Sequence, residues 1–87
     1  MDSLLDIIKK EDLLIKQREN NFERKVSLLH AIDDIEMHPR VYALSLDDVP
    51  RYREELNALE KREAELDKEL ENTRKHLCRY LLDLFRR

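Results

Sequence analysis

The chain has 87 residues, 43% of them charged and 6% aromatic, with no glycine and a net charge of −3. That length holds one domain at most and buries a modest fraction of its surface on folding, so help from a partner chain is expected. Without glycine, phosphate-cradling and dinucleotide-binding loops are excluded, and the interleaved charges form no broad cationic face for nucleic acid.

Leu, Glu, Lys, Arg and Ala dominate, the alphabet of long helices and coiled coils. The expected fold is all-α: two long helices joined by a Pro-containing elbow, forming an elongated helical hairpin or a coiled-coil bundle by association with other chains. The expected segments are an N-terminal amphipathic helix over 1–37, an apolar connector over 38–48 and a C-terminal coiled-coil helix over 49–87.

Helix 1 starts at Asp2 or Ser3, since Ser3 and Asp6 have the spacing of an imperfect capping box. Leu4, Ile8, Ile15, Phe22, Val26, Leu29 and Ile32 then recur at helical spacing and project onto one stripe. An adjacent row, Ile7, Leu14, Leu28 and Ile35, widens it. Two rows are broader than a dimer seam needs and suit a bundle of three or more helices. Between Lys16 and Lys25 the stripe thins to Phe22, beside Asn20 and Asn21, where helix propensity dips. A solvated stretch of one continuous helix is favoured there over a bend or break.

Pro39 ends helix 1, because its ring disfavours helical geometry at His38 and removes a backbone donor. The connector residues Val41, Tyr42, Ala43, Leu44 and Leu46 are too apolar for a free linker and are expected to pack back on the helices, with one short helical turn. Asp47 or Asp48 caps helix 2, with Pro50 in the first turn where its missing N–H costs nothing.

Helix 2 carries the strongest pattern. With Val49 at heptad position a, Leu56, Glu63, Leu70, Leu77 and Leu84 follow at a, while Tyr52, Leu59, Leu66, Thr73, Tyr80 and Arg87 fall at d. Such a seam needs a facing helix, which is either helix 1 folded back, a second copy or a different chain. In a parallel homodimer Glu55 and Glu60 repel, whereas Arg62 with Asp67 and Glu69 with Arg74 attract, which permits self-association without specifying it. Glu63 and Thr73 interrupt the seam. Glu63 either meets a Lys or Arg on the facing helix or reaches out to solvent, and the second is favoured. From Leu77 to Phe85 the helix is apolar on more than one face, which predicts burial nearly all round. The expected interface residues are therefore Leu56, Leu59, Leu66, Leu70, Leu77, Tyr80, Leu81, Leu84 and Phe85 on helix 2, with Ile8, Ile15, Phe22 and Leu29 on helix 1. No glycine cap follows helix 2, which leaves room for the chain being a segment of a longer protein.

Chemistry is sparse. His30, His38 and His76 share no metal-ligating spacing with one another or with Cys78, the carboxylates read as a solvated face, and no base is placed beside the lone cysteine. No catalytic residue, metal or cofactor is expected. Short apolar runs exclude a signal core or membrane span, and a single cysteine fits a reducing, intracellular setting. The expected function is a protein–protein interaction or scaffold subunit, as a homo-oligomer or with a different helical partner. The alternative is a nucleic-acid-associated regulator using the basic residues Arg74, Lys75, His76, Arg86 and Arg87.

Overall fold

The computed structural model describes residues 3–86, so Asp2 as a cap and Arg87 at a seam position lie outside the described residues. Helix α1 spans Leu4–Met37, a 3-10 turn spans Ala43–Asp48, and helix α2 spans Val49–Phe85. The helices lie antiparallel, as their cross-contacts show. Glu11 meets Arg74, Arg18 meets Asp67, Arg24 meets Glu55 and Glu36 meets Arg53, numbers falling in one helix as they rise in the other. The hairpin measures 68 × 17 × 15 Å with a radius of gyration of 19.4 Å. A compact chain of this length would have a radius of gyration near about 12 Å. Two rods of 34 and 37 residues, rising about 1.5 Å per residue, dictate the elongation.

The ends follow from local chemistry. Ser3 Oγ accepts from the Asp6 amide at 3.2 Å while an Asp6 carboxylate oxygen accepts from the Ser3 amide at 3.3 Å, so the capping box is complete. At the other end the His38 amide still donates to the Asp34 carbonyl before Pro39 stops the ladder. The reversal then uses amides of Val41 and Tyr42 on the His38 carbonyl and of Ser45 on the Tyr42 carbonyl. No described residue takes positive φ, so this turn is within reach of a glycine-free sequence. Asp48 sits at the N-cap of α2 without a side-chain cap bond, and Pro50 lies in the first turn as expected. The Asp48 carboxylate instead pairs with Arg51 at 3.4 Å.

The partner of the α2 seam is α1 of the same chain. Leu66 and Leu70 are buried with Leu14 in a small cluster against which Ile15 packs. The other buried apolar residues, Ile7, Leu28, Ile32 and Ile35, extend the seam along α1. Its heptad therefore has Ile7, Leu14, Asn21, Leu28 and Ile35 at d and Leu4, Glu11, Arg18, Lys25 and Ile32 at a. This reverses the sequence reading of α1. The row expected to be secondary is buried, whereas in the row expected to lead Ile8, Phe22 and Leu29 are exposed, Leu4, Ile15 and Val26 half-buried and only Ile32 buried.

A polar layer occupies the middle of the seam. Asn21 is only 8% exposed and donates from Nδ2 to the Leu59 carbonyl at 3.0 Å. Lys25 Nζ reaches Glu63 at 3.2 Å with both side chains half-buried. The stretch between Lys16 and Lys25 is thus one continuous helix, but at Asn21 it is not solvated. Glu63 likewise does not reach out to solvent, because Lys25 lies opposite it. Thr73 is buried and satisfies its hydroxyl within α2 by donating to the Glu69 carbonyl at 2.8 Å.

Exposed ion pairs flank the seam. Bidentate hydrogen bonding from Arg24, at 2.7 and 3.1 Å, holds the Glu55 carboxyl below its ordinary range. The charges of Arg24 and Arg51 add to this, partial desolvation opposes it, and the same pairing raises Arg24. A lowered folded pKa means that the pair stabilises the hairpin fully above the ordinary carboxylate range and loses that effect as pH falls through the lowered value. Acid titrations of the wild type and Glu55→Gln by circular dichroism should accordingly show a stability gap near neutrality that closes at low pH. A gap independent of pH would remove this assignment.

Candidate interaction surface

Folding back of α1 divides the residues read as interface into two groups. Leu66 and Leu70 are buried, and Leu56, Leu59, Leu77 and Tyr80 half-buried, in the seam between the two helices of one chain. The second group stays open. Ile8 is 41%, Phe22 59% and Leu29 44% exposed, with Ile15 half-buried between them. These four are seven residues apart, so they form a straight row along the side of α1. Leu5, exposed, and Val26, half-buried, lie beside that row. A shallow groove next to it is lined by Ile15, Arg18, Glu19, Phe22, Glu63 and Arg74.

Both ends of the hairpin also expose apolar side chains. At the C-terminal end Leu81, Leu82, Leu84 and Phe85 are exposed, so the burial nearly all round expected for this end is not met within one chain. Two helices offer α2 a single covered face, and its other faces have nothing against them. The elbow differs from expectation for the same reason. Its short helical turn is present, yet Leu44 is 98% and Val41 76% exposed, and Tyr42 and Leu46 are open as well. The tip of a two-helix hairpin projects past both rods, leaving no third element for these residues to pack on.

Exposed apolar side chains thus recur along one side of α1 and at both ends of the hairpin. The seam signal on α2 was readable from heptads alone. What rotated α1 was less visible: Arg18, Asn21 and Lys25 each find a partner on α2, at Asp67, Leu59 and Glu63 respectively.

Among the described residues no group of His, Cys, Asp or Glu side chains is arranged to hold a metal ion, and no helix is long and apolar enough to cross a membrane. Cys78 is exposed and unbridged. No protein-family model matches the chain, and no curated protein or solved structure matches it.

Proposed function

We propose that this chain is a non-enzymatic protein–protein interaction subunit of an intracellular assembly, joined to its partners by coiled-coil packing of helices. The observation that carries the reading is the exposure of Ile8, Phe22 and Leu29, at one heptad position with half-buried Ile15, on a helix whose other apolar row is already buried. Association driven by apolar burial needs such a row, and solvation of the hairpin alone does not. An unbridged Cys78 is consistent with a reducing compartment.

The alternative, a nucleic-acid-associated regulator, is less favoured. Arg74 pairs with Glu11 at 3.6 Å and Lys75 with Glu71 at 3.1 Å, which reduces the charge that these two members of the basic cluster offer to phosphates. Arg87, the last member of that cluster, lies outside the described residues.

The test is the native mass of the tagged chain in extract from its source, compared with a Phe22→Glu, Leu29→Glu variant. The wild type should migrate within a larger species and the variant as the free chain, with equal helicity. Wild-type chain running free, or a variant that keeps the same complex, would sink the reading.

A further inference from the structure

We infer that the groove beside Ile8, Ile15, Phe22 and Leu29 takes an amphipathic helix of a different protein, apolar where it meets the hairpin and flanked there by Lys or Arg. This deepens the proposed function and rests on it. The heptad frames of the two helices fix which residues border the groove. Positions e meet positions e along one side of the hairpin (Glu36 with Arg53), and positions g meet positions g along the other (Arg24 with Glu55). The four apolar residues are the e row of α1. In the register of Glu36 with Arg53, Ile8 falls opposite Leu81, which is exposed, with Phe85 at the neighbouring b position. The open row of α1 and the open C-terminal end of α2 are therefore one surface.

The shallow groove that includes Ile15, Glu19 and Phe22 opens on this side. A furrow between two helices is what a third helix packs into. The g side offers no such row: Lys10, Gln17 and Arg24 of α1 face Glu55, Arg62 and Glu69 of α2 there. From Ile8 to Leu29 the row covers about 32 Å of helix, enough for three heptads of a partner.

Charge identifies the occupant. Asp12, Glu19 and Asp33 at b of α1 and Glu60 at e of α2 border the groove, are exposed, and enter no ion pair among the described residues. The cations on the same side are already used, Arg18 by Asp67, Arg74 by Glu11 and Arg53 by Glu36. The lysines Lys9, Lys16, Lys61 and Lys68 fall at f, on the backs of the helices away from the seam. The groove thus presents about one free carboxylate per heptad and no free cation, which favours Lys or Arg beside the apolar stripe of whatever enters it. A second copy is a poor occupant, since the outer face of its α1 brings the same carboxylates. Phosphates of nucleic acid or of an anionic membrane are repelled in the same way.

Fluorescence anisotropy of a labelled four-heptad peptide, with Leu at its a and d positions and Lys at e and g, titrated with the purified full chain, tests this. The Lys peptide should bind about tenfold or more tightly than the same peptide with Glu in place of Lys. Phe22→Ala with Leu29→Ala should weaken the Lys peptide by about tenfold or more at unchanged helicity, because both side chains are exposed in the hairpin. Asp12→Lys with Glu19→Lys should abolish the preference for Lys over Glu. Asp34→Lys with Asp83→Lys adds the same charge on the g side and should preserve it. No binding of the Lys peptide, equal binding of the two peptides, indifference to the alanine pair, or equal loss of preference in the g-side variant would each overturn the inference. So would a wild-type dimer in sedimentation equilibrium that the alanine pair disperses, because a second copy would then hold the face. A larger native species in source extract would in any of these cases leave the broader interaction role standing.

Discussion

Leu14→Ala or Leu66→Ala should destabilise the hairpin by about 2–5 kcal/mol, the usual cost of emptying a buried leucine site. Leu66 is 1% and Leu14 4% exposed, and with Leu70 they form the buried cluster. A chain of two packed helices has no further layer to settle into the cavity. Small single cores rarely supply more than about 3–5 kcal/mol, so either change removes most of the stability. Urea unfolding followed by far-UV circular dichroism is the measurement, with Leu13→Ala as the control. Leu13 is adjacent in sequence but 56% exposed, and its truncation should stay within about 0.5 kcal/mol. Equal losses at Leu13 and Leu14 would show that α1 is rotated otherwise than described. Leu66→Asp with Leu70→Asp should unfold the hairpin outright, since two carboxylates would be buried with no partner.

The second large effect belongs to the polar layer. Lys25→Met should cost about 1–3 kcal/mol, because it leaves the half-buried Glu63 carboxylate desolvated and unpaired. Adding Glu63→Leu should recover that loss, and can exceed the wild type, because an apolar pair of similar volume replaces two charges that are expensive to desolvate. Denaturation of the four members of this cycle gives the coupling directly. Additive effects would mean that the two side chains do not interact. A recovered double variant should also be less selective in register, since Asn21 with Lys25 and Glu63 is the one polar layer in the middle of the described seam.

Much of the architecture is legible in the residues. Ser3 and Asp6 mark the start of α1, Pro39 its end and Pro50 the first turn of α2, because caps and prolines act through local backbone groups that need no tertiary context. The α2 seam is equally readable. Its apolar positions fall in one heptad frame, so only one rotation of the helix buries them. Composition misleads at the elbow: apolar residues there imply cover, but cover requires an element within reach, and the hairpin supplies none beyond its tip. The C-terminal end from Leu81 to Phe85 departs from expectation on the same ground.

Two long helices, their approximate boundaries and the face of α2 that must be covered are readable from the residues, because periodicity and capping are properties of a single helix. The sequence by itself did not determine which row of α1 does the covering. Ile7, Leu14, Leu28 and Ile35 compete with Ile8, Ile15, Phe22 and Leu29 on nearly equal apolar terms, one residue and about 100° apart on the helix. The choice between them is made by what α2 places opposite each row. Rotating α1 to bury the first row brings Arg18, Asn21 and Lys25 onto Asp67, the Leu59 carbonyl and Glu63. Polar groups drawn into a seam must find partners there, and those partners lie on the other helix.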